Sequence, residues 1–246
     1  MTKHVGETYR NNLNDVATII RYVNYNEVYV VFDGHEEEVK FRYNNLKNGE
    51  FKNPFTPSVC GVGYIGVGKY KTRIDGKKTK CYETWRDMLR RCYGDRPNYS
   101  TYCGCKVDES WHNFQTFAQW YDNNYYEFHG DKMCLDKDIL VKGNKLYSAN
   151  TCCFVPNRIN TLLINCKRAR GDLPLGIHRQ DEYYVVQCSD NGIQEYVGIY
   201  HTKDDAFKAY KTHKEHIIKS VANDYKEIIP QKVYDALMSW CIEIND

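Results

Sequence analysis

The sequence predicts an α+β protein in three parts. These are a small β-barrel over residues 1–57, a central hairpin-plus-helices domain over 58–170, and a three-stranded antiparallel sheet packed on a helix over 171–246. Three observations predict this arrangement. Short β-branched and aromatic runs broken by Asn and Gly fill the first part. Apolar residues at helical spacing dominate the second. Three strand-like runs and then a capped amphipathic run make up the third.

In the first part, Val16–Ile20 and Glu27–Phe32 read as strands, separated by Asn24-Tyr25-Asn26 and stopped at Asp33-Gly34. Phe41-Arg42-Tyr43 adds a further strand before Gly49 and Asn53-Pro54 end the segment. The set resembles a Tudor-like or Src-homology-like barrel, an architecture that serves many functions and assigns none. The glycine-rich run Gly61–Lys69 lacks the Gly-Lys-Ser/Thr ending of a phosphate-cradling loop and reads as a β-linker.

Two helices open the central part. Trp85, Met88, Leu89 and Cys92 recur at i, i+3, i+4 and i+7, with Arg86, Arg90 and Arg91 elsewhere on the helix. Trp111, Phe114, Phe117, Ala118 and Tyr121 mark the second. Both aromatic stripes read as core. Next come a strand at Met133–Ile139, a turn at Lys142-Gly143-Asn144-Lys145, a second strand over Tyr147–Cys152, and a helix opening near Val155-Pro156-Asn157.

In the last part, Pro174–Gln180, Tyr183–Ser189 and Gln194–Tyr200 form three strands, the second turn being Asp190-Asn191-Gly192. Thr202 caps a helix whose Ala206, Phe207, Ala209 and Tyr210 face the sheet. After Pro230, Val233, Ala236, Leu237 and Trp240 form one stripe of an added helix.

The net charge of +2 hides an uneven distribution. Residues 1–57 carry a net −1, residues 58–170 a net +8 and residues 171–246 a net −5, so the middle is the candidate for meeting a polyanion. The 22 tyrosines suit a binding surface without requiring one. Eleven cysteines, with no apolar leader and no run of membrane-spanning length, point to reduced thiols in a cytoplasm and to no membrane partner. A composite structural Zn²⁺ site among Cys92, Cys103, Cys105, Cys134, Cys152 and Cys153 is the weaker reading. Cys103-Gly104-Cys105 has one intervening residue where a knuckle uses two to four, and Cys152-Cys153 is adjacent.

Tyr82–Tyr93, Gly104-Cys105-Lys106-Val107, Trp111-His112-Asn113-Phe114 and Leu135-Asp136-Lys137-Asp138 together resemble a phage-borne family described as HNH or homing-endonuclease-like. The likeness covers about residues 80–163. It implies a ββα-metal core acting on double-stranded DNA with Mg²⁺ or Mn²⁺. Carried over by position, Asp136 would bind the metal and Lys137 stands where the family has its general-base histidine. Asn150 or Thr151 would hold the loop, and Asn157 or Asn160 would face the metal. Lysine is a poor base beside carboxylates, so Asp138 or His129 is expected to substitute, with Asp138 also a candidate ligand. Arg86, Arg90, Arg91, Lys142, Lys145 and Arg158 are the expected phosphate contacts.

Gly176-Ile177, Val197-Gly198-Ile199-Tyr200 and Asp205–Tyr210 resemble the Apetala/ethylene-response-factor DNA-binding domain over about 174–221. That family lays its sheet in the major groove. By position, the reading residues would be His178, Gln180, Gln187, Ser189, Gln194 and Tyr196, while Val186, Cys188 and Val197 face the helix. Three function classes follow: a metal-dependent DNA endonuclease in a bacterial host's cytoplasm, a non-catalytic DNA-binding regulator on the same scaffold, and a virion or interaction protein that uses the N- or C-terminal part to contact protein.

Overall fold

A computed structural model describes residues 4–94, 102–164 and 172–246 of an α+β chain, which divides into two compact units, Met1–Asp122 and Asn123–Asp246. The boundary expected near residue 170 lies outside the described residues. Among those residues, no helix is long and apolar enough to cross a membrane.

The first unit opens with β1 (Thr8–Arg10), β2 (Val16–Asn24), β3 (Glu27–Phe32) and β4 (Val39–Phe41), an antiparallel meander in that spatial order. Alternation sends Ala17, Ile19, Val28, Val30 and Phe32 to one face, where Leu46 of α1 (Tyr43–Lys47) and Phe51 complete a small core. The expected barrel does not close. The edge strands β1 and β4 have only three residues each and do not pair among the described residues, and after Phe41 the chain turns into α1 instead of returning to β1.

A two-residue turn, Asp75-Gly76, joins β5 (Arg73–Ile74) to β6 (Lys77–Lys78). Both turn residues have positive φ, +49° and +75°, the left-handed pair that a tight hairpin demands and that Asp-Gly supplies. Thr79 then caps α2 (Lys80–Tyr93), its hydroxyl accepting from the Tyr82 N–H at 3.2 Å. Trp85, Met88 and Leu89 are buried as their spacing required, and the Trp85 indole N–H donates to the Trp111 carbonyl at 2.7 Å. After β7 (Lys106–Val107) and a 3₁₀ turn at Glu109–His112 capped by Asp108, α3 (Phe114–Asn124) buries Phe114, Phe117, Ala118 and Tyr121.

The second unit contains β8 (Met133–Asp136), β9 (Leu146–Tyr147), β10 (Cys153–Pro156) and α4 (Asn157–Leu162), then β11 (Ile177–Gln180), β12 (Tyr183–Asp190), β13 (Ile193–Tyr200), α5 (Lys203–Asp224) and α6 (Gln231–Met238). The partner of β8 is β10, pairing Asp136 with Cys153 and Pro156 with Met133, and not the expected Tyr147–Cys152 segment. The cause is local. The Asp136 carboxylate accepts the Asp138 and Ile139 N–H groups, ends the strand there, and sends the chain through a long loop first.

Sheet β11-β12-β13 is antiparallel and lies on α5. Gly176 before it has φ +70°, and a β-carbon there would meet the Tyr210 ring and the Gln187 carbonyl, so only glycine fits. Ile139, Cys153, Val155 and Ile159 share one continuous core with Ile177, Val186, Cys188, Ala206, Ile218, Val233 and Ile242. The β8–β10–α4 element and the sheet-plus-helix element are therefore welded by apolar packing, the dominant favourable term in folding.

Candidate functional site

The β8 loop is built around two carboxylates and one ammonium. Oδ1 of Asp136 accepts from the N–H of Asp138 at 2.7 Å and of Ile139 at 2.8 Å. Burial pushes the Asp136 carboxyl above its ordinary value, and those two N–H groups pull partly the other way. Lys137 is 7% exposed. Its Nζ donates to Oδ1 of Asp138 at 2.6 Å, to Oδ2 at 2.7 Å and to the Asn144 carbonyl at 2.8 Å. Asn144 answers through Nδ2, which donates to the carbonyls of Lys137 at 2.9 Å and Leu146 at 2.7 Å. The loop is thus closed across residues 137–146 by reciprocal bonds, with the ammonium also 5.8 Å from the Tyr147 ring centre.

Chemically, this arrangement holds a cation of its own. All three acceptors around Nζ are oxygens, so the nitrogen is a donor and offers no lone pair to take a proton from water. Three of the four carboxylate oxygens of Asp136 and Asp138 are engaged within the loop. Both Asp138 oxygens face the ammonium and Oδ1 of Asp136 faces two N–H groups, whereas Mg²⁺ or Mn²⁺ needs oxygens converging on one point. Asn157 begins α4 beside β8, donating its N–H to the Lys132 carbonyl at 2.9 Å and accepting from the Cys134 thiol at 3.5 Å. Asn160 is half-buried further along the helix. His129 is exposed on the loop before β8, its ring against Phe128. Among the described residues, no three His, Cys, Asp or Glu side chains gather as a ligand set. Burial raises the thiols of Cys152, to about 12, and of Cys188, as for ordinary core cysteines.

Most of the expected phosphate contacts carry internal partners. The Lys142 ammonium donates to the Cys241 carbonyl at 2.7 Å and to Oδ2 of Asp246 at 2.6 Å. Arg158 lies 3.5 Å from Asp190 and 3.8 Å from Asp224. Arg86 and Arg90 both approach Asp87, at 3.2 and 4.0 Å, and the Arg91 guanidinium lies 5.5 Å from the centre of the Tyr102 ring. Lys145 is exposed.

Strand register puts His178, Gln180, Gln187, Ser189, Gln194 and Tyr196 on one face of the C-terminal sheet, with Val186 and Cys188 buried against α5 on the other. A bulge after Val186 shifts the register, and Val197 is half-buried against the core. The Gln194 amide donates to Oε1 of Gln187 at 2.9 Å, so the two glutamines act as one unit. Val185 and Ile199 lie on the same face, which carries neither Lys nor Arg.

The β5–β6 hairpin is not among the elements expected from the sequence. Six of the twelve residues from 69 to 80 are Lys or Arg and one is acidic, and Lys69, Lys71, Arg73, Lys77, Lys78 and Lys80 are all exposed. The alternating cations around Asp75-Gly76 were the available signal. Compared with family models, with curated proteins and with solved structures, the chain matches none of them.

Proposed function

We propose that this chain is a double-stranded-DNA-binding protein on an HNH-like ββα scaffold, with its cleavage centre closed by Lys137. One observation carries the reading. The residue at the base position is a buried ammonium bonded to both Asp138 oxygens and to the Asn144 carbonyl, where cleavage would need a proton acceptor and a free metal site. The β8–β10–α4 order supports the scaffold, and the three-stranded sheet on α5 supports the Apetala-like reading of the C-terminal part. On that reading the sheet recognises bases through the glutamine pair and Tyr196 with little electrostatic grip of its own. A phage-type regulator working in a bacterial cytoplasm is the biological setting that fits.

The test joins two measurements on the full chain. Duplex binding is followed by fluorescence anisotropy, and nicking of supercoiled plasmid is followed with Mg²⁺ or Mn²⁺, with and without chelator. Binding without nicking is the expected outcome. Chelator-sensitive nicking that disappears in Asp136→Ala would instead establish the endonuclease. Absence of duplex binding at low salt would leave a protein-contact role.

A further inference from the structure

We infer that the Lys69–Lys80 hairpin grips the phosphate backbone of duplex DNA. The inference rests on the DNA-binding reading and adds to it the surface that supplies the charge.

Three features carry it. The first is local charge: Lys69, Lys71, Arg73, Lys77 and Lys78 are exposed, against the single acid Asp75. The guanidinium of Arg73 donates to the Gly76 carbonyl at 2.7 Å, and the Lys69 ammonium sits 4.9 Å from the centre of its neighbour Tyr70's ring. Neither contact neutralises charge. The second is the register. Arg73 lies directly opposite Lys78, and like charges at opposed positions of a two-stranded ribbon destabilise it. A fold that keeps such a pair, with Lys77 beside it, is relieved when a polyanion threads between them. The third is anchorage. The Thr79 N–H donates to the Thr72 carbonyl at 3.1 Å and its hydroxyl to the Lys71 carbonyl at 3.2 Å, so the base of the hairpin is tied to the start of α2. The cations are presented from a held ribbon, which lowers the ordering cost of contact.

A duplex is the partner this fits, because closely spaced phosphates meet a short ribbon with cations on both faces. The expected sign is in the salt dependence. Each phosphate contact steepens the slope of log affinity against log salt by about 0.9. The experiment compares wild type with the triple variant Lys71→Ala, Lys77→Ala, Lys78→Ala, and with a charge-matched control, Lys208→Ala, Lys219→Ala, Lys232→Ala, between about 50 and 200 mM salt. All six side chains are exposed, and thermal melts confirm folding. The hairpin variant should lose affinity and flatten the slope by roughly 2–3, while the control changes little. A hairpin variant with the wild-type slope, or an equal loss in the control, overturns the assignment and leaves the DNA-binding reading standing. Tighter wild-type binding to anionic vesicles than to duplex overturns the choice of partner. A wild type that binds no duplex removes the reading and this inference together.

Discussion

The protein carries two lysine-rich loops that use positive charge in opposite ways. In the β8 loop the ammoniums of Lys137, which is buried, and Lys142, which is exposed, are each bonded to a carboxylate and a backbone carbonyl. In the β5–β6 hairpin, cations face solvent and even face each other, as Arg73 and Lys78 do. The first loop uses charge to hold its own conformation, and the second keeps it available. A count of Lys and Arg along the chain treats the two alike. What separates them is whether a carboxylate is engaged, as Asp138 and Asp246 are in the β8 loop, and hydrogen bonds to charged groups are among the stronger stabilising contacts, at about 1.5–3 kcal/mol.

The sharpest contrast comes from one substitution made in both loops. Ile139 follows Asp138 directly and is 2% exposed in the core, while Ile74 at the hairpin tip is 59% exposed. Ile139→Ala should cost about 3 kcal/mol in chemical denaturation. Ile74→Ala should stay within about 0.5 kcal/mol. Similar losses at both positions would break the distinction between a welded loop and a free one.

Lys137→Met comes next. It leaves Asp138 and the Asn144 carbonyl without their donor, and a loss of about 2 kcal/mol is expected by urea unfolding, with duplex affinity nearly unchanged. A large fall in affinity with intact stability would mean that Lys137 meets DNA after all.

Asp136 gives a pH signature. Its carboxyl is raised by burial, so the folded state holds that proton more tightly than the unfolded chain does. The associated stabilisation is fully present below the unfolded value, about 3.9, and is lost as pH rises through the folded one. Asn keeps the accepting Oδ1 without the charge. Asp136→Asn should therefore melt higher than wild type at neutral pH, and the advantage should vanish in acid. A variant less stable at neutral pH would show that the ionised carboxylate is needed there.

The smallest effect is expected at Lys78→Glu. An opposite-charge cross-strand pair with Arg73 should raise stability by a few tenths of a kcal/mol while duplex binding weakens. A variant that gains in both respects would remove the hairpin from the interface.

Much of the scaffold was legible in the sequence because its signals are local. Trp85, Met88 and Leu89 entered the core where a 3.6-residue period put them, and Val186 and Cys188 turned inward by the two-residue period of a strand. The N-terminal barrel was not legible, since closure depends on edge strands long enough to meet, and β1 and β4 are not. The state of the candidate site was hidden for a related reason. Nothing near Lys142 foretells partners 99 and 104 positions away, and the engagement of Lys137 depends on Asn144 being brought back across the loop. The β5–β6 hairpin was readable from its Asp-Gly turn, but its lysines had been absorbed into a regional charge total.

The core cluster that Ile139 shares with Ile242 also sets an order of events during synthesis. Ile139, beside the lysine loop, packs in the same cluster as Ile242, and Lys142 takes its acceptors from Cys241 and Asp246. While the ribosome is still adding residues beyond 200, β8, β10 and α4 have emerged but lack the surfaces that bury them. Contacts this distant in sequence form late and slow a folding rate. The first unit, Met1–Asp122, has been synthesised in full before then. For an interval of seconds the nascent chain therefore has a finished cationic hairpin and an unfinished lysine loop, and a stalled or truncated product would expose apolar strands β8 and β10 to aggregation.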